Sequence, residues 1–119
     1  MNFRNALAGV AVSDIAASIE WYEALIGRPP DIRPLPHVAG WQFPGGGWVE
    51  IFVEPERAGK STVIFAVLNT EKQLEELAAR NIPIIYETPS EEIGEVAMIQ
   101  DPDGNRIVFA GPLTGVMDD

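Results

Sequence analysis

The sequence predicts an α+β fold in which two βαβββ modules form a curved, mixed-sheet cup with the helices outside. Three observations carry this expectation. A short apolar strand run feeds an amphipathic helix twice, over residues 5–26 and again over 62–81. Each helix is followed by short β-capable runs separated by Pro and Gly turn clusters. The first strand ends at Val12-Ser13-Asp14, and 55 positions later Val67-Leu68-Asn69 ends its counterpart. A chain of 119 residues holds one core of this size. Residues 1–119 are therefore expected to form a single domain, with module 1 over about 1–57 and module 2 over about 58–112.

Residues 5–12 are small and apolar and end at Ser13-Asp14, either of which suits the cap of a following helix. From 14 to 26, Ile15, Ile19, Tyr22, Leu25 and Ile26 recur at spacings of three and four, which marks one buried helical face. Gly27 suits a left-handed stop, and Pro29-Pro30 forbid continuation. Strands are expected at 31–35, 40–43 and 48–53, the last two joined as a hairpin through Pro44-Gly45-Gly46-Gly47. Residues 54–60 contain Pro55 and Gly59 and read as a connector. A β-branched run at 62–68 opens the second module. A helix follows at 70–81, with Leu74, Leu77 and Ala78 at helical spacing and Thr70 as its cap. Strands at 83–86, 95–99 and 106–110 complete it, the last two joined by Asp101-Pro102-Asp103-Gly104-Asn105. Modules that each expose one apolar sheet face must pack together or against another chain.

Composition removes several function classes. Forty-six per cent apolar and 22% charged residues describe a chain that folds rather than a disordered one. No apolar run approaches the roughly 18 residues of a membrane span, and Met1-Asn2-Phe3-Arg4 opens no signal pattern, so a soluble, cytoplasmic protein is expected. Without cysteine there is no disulfide, thiolate zinc site or thiol nucleophile. A net charge of −10 repels phosphate backbones and anionic lipid, so neither nucleic acid nor membrane is an expected partner. The same acidity serves solubility and attracts cationic ligands.

Three stretches resemble the vicinal oxygen chelate superfamily of glyoxalases, bleomycin-resistance proteins and extradiol dioxygenases. They are Val12-Ser13-Asp14-Ile15 with Trp21-Tyr22 and Leu25-Ile26-Gly27, then Gly46-Gly47-Trp48-Val49-Glu50-Ile51, and Asp101 through Ile107. The resemblance runs from about residue 7 to 110. It implies that a divalent ion, in members that use one, is held by side chains from the first, fourth, fifth and eighth strands. Those positions match Leu7, Glu50, Thr62 and Val108. One carboxylate and one neutral hydroxyl make a poor cage for such an ion, so neither a metal nor another cofactor is expected. The resemblance also implies a homodimer that completes each cup.

Strand alternation places Trp48, Glu50 and Phe52 on one face and Val49, Ile51 and Val53 on the other. Trp41 and Phe43 share a face of the neighbouring strand. With Leu7, Gly9, Thr62, Ile64 and Val108, these residues are expected to line a greasy, aromatic cup holding one acid. Such a lining suits a small-molecule ligand that is hydrophobic or aromatic, with cations favoured by the ring faces and Glu50. The expected function is metal-free sequestration of such a ligand. The alternative is a lyase, isomerase or dioxygenase-type enzyme with a non-standard site, in which Glu50 handles protons. A third reading is an accessory domain that recognises another protein. His37 reads as a loop residue, and Arg106 as a solvated cation with a minor role.

Overall fold

The computed structural model describes residues 2–90 and 94–112. Strand β1 (Leu7–Val12) leads into helix α1 (Ile15–Ile26), and β2 (Val38–Gln42) and β3 (Trp48–Val53) complete the first half. The second half runs through β4 (Thr62–Ala66), α2 (Thr70–Ala79), β5 (Tyr86–Ser90), β6 (Gly94–Gln100) and β7 (Arg106–Gly111). The molecule is therefore α+β, with the strand–helix opening repeated.

The helix boundaries follow from caps. The Asp14 carboxylate accepts from the Ala17 amide at 3.1 Å, and the Asn69 side chain accepts from the Lys72 amide at 2.9 Å. These two caps are the residues that the internal repeat sets 55 apart. Asn69, not Thr70, caps α2. Its amide oxygen reaches the third amide onward, whereas Thr70 already belongs to the first turn. At the far end of α1, Gly27 adopts φ 94° and donates its amide to the Glu23 carbonyl, a left-handed stop that favours glycine.

Two differences from the expected strands have a common cause in proline. Residues 31–35 make only a bridge, Ile32 to Gly40, because Pro29, Pro30, Pro34 and Pro36 remove donors and restrict the residues before them. Beyond Pro83, pairing with β6 begins at the Ile85 amide, which donates to the Met98 carbonyl, and β5 then extends to Ser90 rather than ending at Tyr86. Pro89 is tolerated there because β5 is an edge strand.

The strands form two mixed sheets, ordered β1-β3-β2 and β4-β7-β6-β5. In each, the opening strand runs parallel to the last strand of its module: Leu7 pairs with Trp48, and Thr62 with Arg106. Strands β1 and β4 touch, so the sheets meet along these two. Both helices pack on one side. There a single core joins Val10, Tyr22, Trp41 and Ile51 of the first half to Val63, Leu77, Ile107 and Phe109 of the second. Among the described residues, the opposite sheet face carries no helix.

A buried polar network ties the halves together at the turn of residues 101–105. Asp101 Oδ2 accepts from the Tyr22 hydroxyl at 2.7 Å and from Asn105 Nδ2 at 2.8 Å. Asn105 Nδ2 also donates to the Ala11 carbonyl, and its Oδ1 accepts from the Ser61 amide. At the exposed edge of this network, Asp103 accepts from both the amide and the hydroxyl of Ser13. Each of these bonds crosses between the β1–α1 segment and the second half, or fixes the turn that makes the crossing.

Burial, reinforced by Asp101 and then Asp103, pushes the Tyr22 hydroxyl far above its ordinary pKa of 10.0. The folded protein thus keeps a proton that the unfolded chain releases near pH 10. The stability from this group is full below that pH and declines as pH rises through it. Tyr22→Phe is expected to flatten the loss of thermal stability between about pH 9 and 11. Melting temperatures of both proteins across that window check this, and an equally steep loss in the variant would overturn it.

Candidate functional site

The helix-free face is built by strand alternation. In β3, Val49 and Ile51 are buried beneath α1, which leaves Trp48, Glu50 and Phe52 on the opposite side. The parallel register sets Leu7 beside Trp48, Gly9 beside Glu50 and Ala11 beside Phe52. On the other flank Glu50 faces Gly40. The carboxylate therefore rises between two glycines and is flanked along its own strand by two aromatic rings. A Cβ on Gly9 would sit 3.1 Å from Phe52 Cε1, so glycine there lets the ring lie over β1. Among the described residues, no lysine or arginine is paired with Glu50.

In the second sheet Ile107 and Phe109 are buried on the helix side. Thr62, Ile64 and Val108 therefore share the helix-free face, with Arg106 beside Thr62. A row crosses all four strands: Tyr86 pairs with Met98, Met98 with Val108, and Val108 with Ile64. Sequence reasoning omitted Tyr86 and Met98, because the strand was expected to end at Tyr86 and its pairing partner was not identifiable. Alternation along 94–100 was the available signal. Within one chain this face is open: Ile64 is 67% exposed, Tyr86 54% and Leu7 51%.

Trp41 and Phe43 do share a side, but it is the helix-covered one. Trp41 pairs with Val49, and a directly opposed pair points to the same face. Trp41 is fully buried, 6.1 Å from the Tyr22 ring centroid, and its indole nitrogen donates to the Arg28 carbonyl. Phe43, just past the end of β2, meets Phe65 edge-on at 5.3 Å. These two aromatics are thus placed away from Glu50, which corrects their expected position in the cup. His37 is exposed, and its carbonyl accepts from Val53.

The four positions implied for an ion lie on the helix-free face, divided between the sheets: Leu7 and Glu50 on one, Thr62 and Val108 on the other. Leu7 and Val108 have no lone pair to donate, so these residues do not fit a divalent cation. Among the described residues, no three His, Cys, Asp or Glu side chains cluster to hold one elsewhere. The arrangement offers ring faces, aliphatic surface and one carboxylate, which are means of binding rather than of Lewis-acid activation.

Residues 5–109 match the family model of the Glyoxalase/Bleomycin resistance protein/Dioxygenase superfamily. A glyoxalase/bleomycin resistance protein from Catenulispora acidiphila DSM 44928 superposes with a TM-score of 0.82 at 30% identity, covering 92% of this chain and 98% of that one. TnmS3, an antibiotic binding protein from Streptomyces sp. CB03234, gives a TM-score of 0.80 at 20% identity over 95% and 99% of the two chains. A lactoylglutathione lyase from Agrobacterium tumefaciens gives 0.73 at 14% identity over 89% and 91%. No curated protein is significantly similar in sequence.

Proposed function

Because the chain belongs to the Glyoxalase/Bleomycin resistance protein/Dioxygenase superfamily, we propose that it sequesters a hydrophobic or aromatic small molecule on its helix-free sheet face, without a metal ion and with a preference for cations. The observation that carries this reading is the composition of that face: Glu50 stands between Trp48 and Phe52, while the other positions a metal would use hold Leu7, Thr62 and Val108. Ring faces attract a cation by about 0.5–2 kcal/mol according to desolvation. Glu50 adds a charge-assisted partner of the same sign preference. The net charge of −10 favours encounter with cations at low salt. The fold is shared with an antibiotic binding protein, which is in keeping with small-molecule binding.

A homodimer belongs to this reading. Ile64, Tyr86 and Leu7 leave one sheet face of the single chain open to water, and a contiguous apolar face of this kind is stable when a second surface covers it. Two equivalent sites result from a two-fold pairing. The acidity disfavours nucleic acid and anionic lipid as partners, and no described helix is long and apolar enough to cross a membrane. Native mass spectrometry of freshly purified protein tests the reading. The expected spectrum shows twice the 13.0 kDa chain mass, no stoichiometric zinc, nickel, iron or manganese, and an organic adduct or free site per chain. One tightly held metal per chain, or turnover in a lyase, isomerase or dioxygenase assay, would replace it with the enzyme reading.

A further inference from the structure

A cavity lies on the other side of the sheets from Glu50. It is a cleft of about 200 Å³ flanked by the last turn of α1 and by the Gln73 and Glu76 side of α2, at the junction of the halves. Phe43, Phe65 and Phe109 form its aromatic wall. Phe65 meets Phe43 edge-on at 5.3 Å and stacks on Phe109 at 5.8 Å, so the three rings are a pre-formed surface. Leu25, in the last turn of α1, closes one side, and Gln73 and Glu76 of α2 supply the polar edge. Protein interiors leave few voids larger than a water molecule, whereas an apolar cavity of about 150 Å³ suffices to hold benzene. This cleft therefore has room for one ring and a short side chain, and not for a polycyclic molecule.

Three features assign a charge to the occupant. Glu76 places a carboxylate at the edge, in the last half of α2, and its only described ion-pair partner is Arg80 at 3.7 Å in a partly exposed pair of the weak i,i+4 kind. The last turn of α1, the end of that helix with partial negative charge, lines the cleft through Leu25 and Ile26 and holds no basic residue. The nearby cation, Arg28, stands 5.9 Å from the Phe43 ring centroid but is already committed to Asp31 and to the Gln42 carbonyl. We propose that the cleft between α1 and α2 is a second binding site, separate from the helix-free face, for a compact aromatic amine. Its ring packs against Phe43, Phe65 and Phe109, and its ammonium group reaches Glu76. This inference does not rest on the function proposed above.

Phenethylamine is the probe, with phenylacetate and ethylbenzene as its anionic and neutral counterparts. Binding is followed by amide shifts in proton–nitrogen correlation spectra of the full chain. The expected result is saturable movement of the amides of Phe65, Gln73 and Glu76, with a concentration dependence separate from any movement at Gly9 and Glu50. Gln73→Phe, a substitution on the surface of α2, fills the cleft and is expected to weaken binding by at least about tenfold while leaving the rest of the spectrum in place. Glu76→Gln is expected to remove the preference for phenethylamine over ethylbenzene. Shifts confined to Gly9 and Glu50, affinity unaffected by Gln73→Phe, or phenylacetate binding as tightly as phenethylamine would each overturn the proposal.

Discussion

Asn105→Ala is expected to lower the unfolding free energy by about 3 kcal/mol, a large part of the 5–15 kcal/mol typical of a domain. Asn105 is fully buried. Its side chain donates to the Ala11 carbonyl and to Asp101, and accepts from the Ser61 amide, each within 2.8–2.9 Å. Truncation leaves groups from both halves without partners in a region water reaches poorly, and each such loss costs about 1–3 kcal/mol. The bond from the Asn105 amide to Asp101 Oδ1 survives, so the turn keeps part of its shape and the effect falls short of the full sum. Urea unfolding with an unchanged slope checks the value. The exposed Gln100→Ala, on the same strand–turn segment, is the control and is expected to change little. A loss below about 1 kcal/mol for Asn105→Ala would show that the network is not what joins the halves.

Glu50→Gln is expected to weaken a cationic aromatic ligand about tenfold and to leave its neutral counterpart unchanged. A charge-assisted hydrogen bond is roughly twice as strong as a neutral one, and a difference of about 1.4 kcal/mol corresponds to that factor. Raising the salt concentration is expected to narrow the gap between ligands, because Glu50 is only half-buried and remains open to screening. Trp48 provides the signal, since it shares the face of Glu50 whereas Trp41 is sealed in the core on the other side. Quenching on titration should disappear in Trp48→Phe. Tightest binding of the anionic member of a matched series would move the site to Arg106, which lies on the same helix-free side beside Thr62.

Local chemistry alone made much of the architecture readable. Helix α1 is announced by the spacing from Ile15 to Ile26 and by the Gly27 stop, while the cap of α2 fell at Asn69, the repeat counterpart of Asp14, and not at the expected Thr70. The turn at Asp101-Pro102-Asp103-Gly104-Asn105 was legible as a turn. Its larger role was not, because the partners of Asp101 and Asn105 are Tyr22, Ala11 and Ser61, 79, 94 and 44 positions away. No local pattern encodes a bond across such separations.

The sequence by itself determined the order of the elements apart from the strand expected at 31–35, the doubling of the strand–helix opening, and which residues share a side within each strand. Alternation is a property of the extended backbone and needs no partner, so Trp48, Glu50 and Phe52 were bound to lie together, as were Trp41 and Phe43. Only the tertiary structure decided which side of the sheet each set occupies. That choice rests on register between strands: Trp41 pairs with Val49 beneath α1, and a shift of one residue would have turned its indole toward Glu50 instead. The register is held by burial of Val49, Ile51 and Tyr22 against one another, a free-energy term that depends on the assembled core and not on any single segment of the chain.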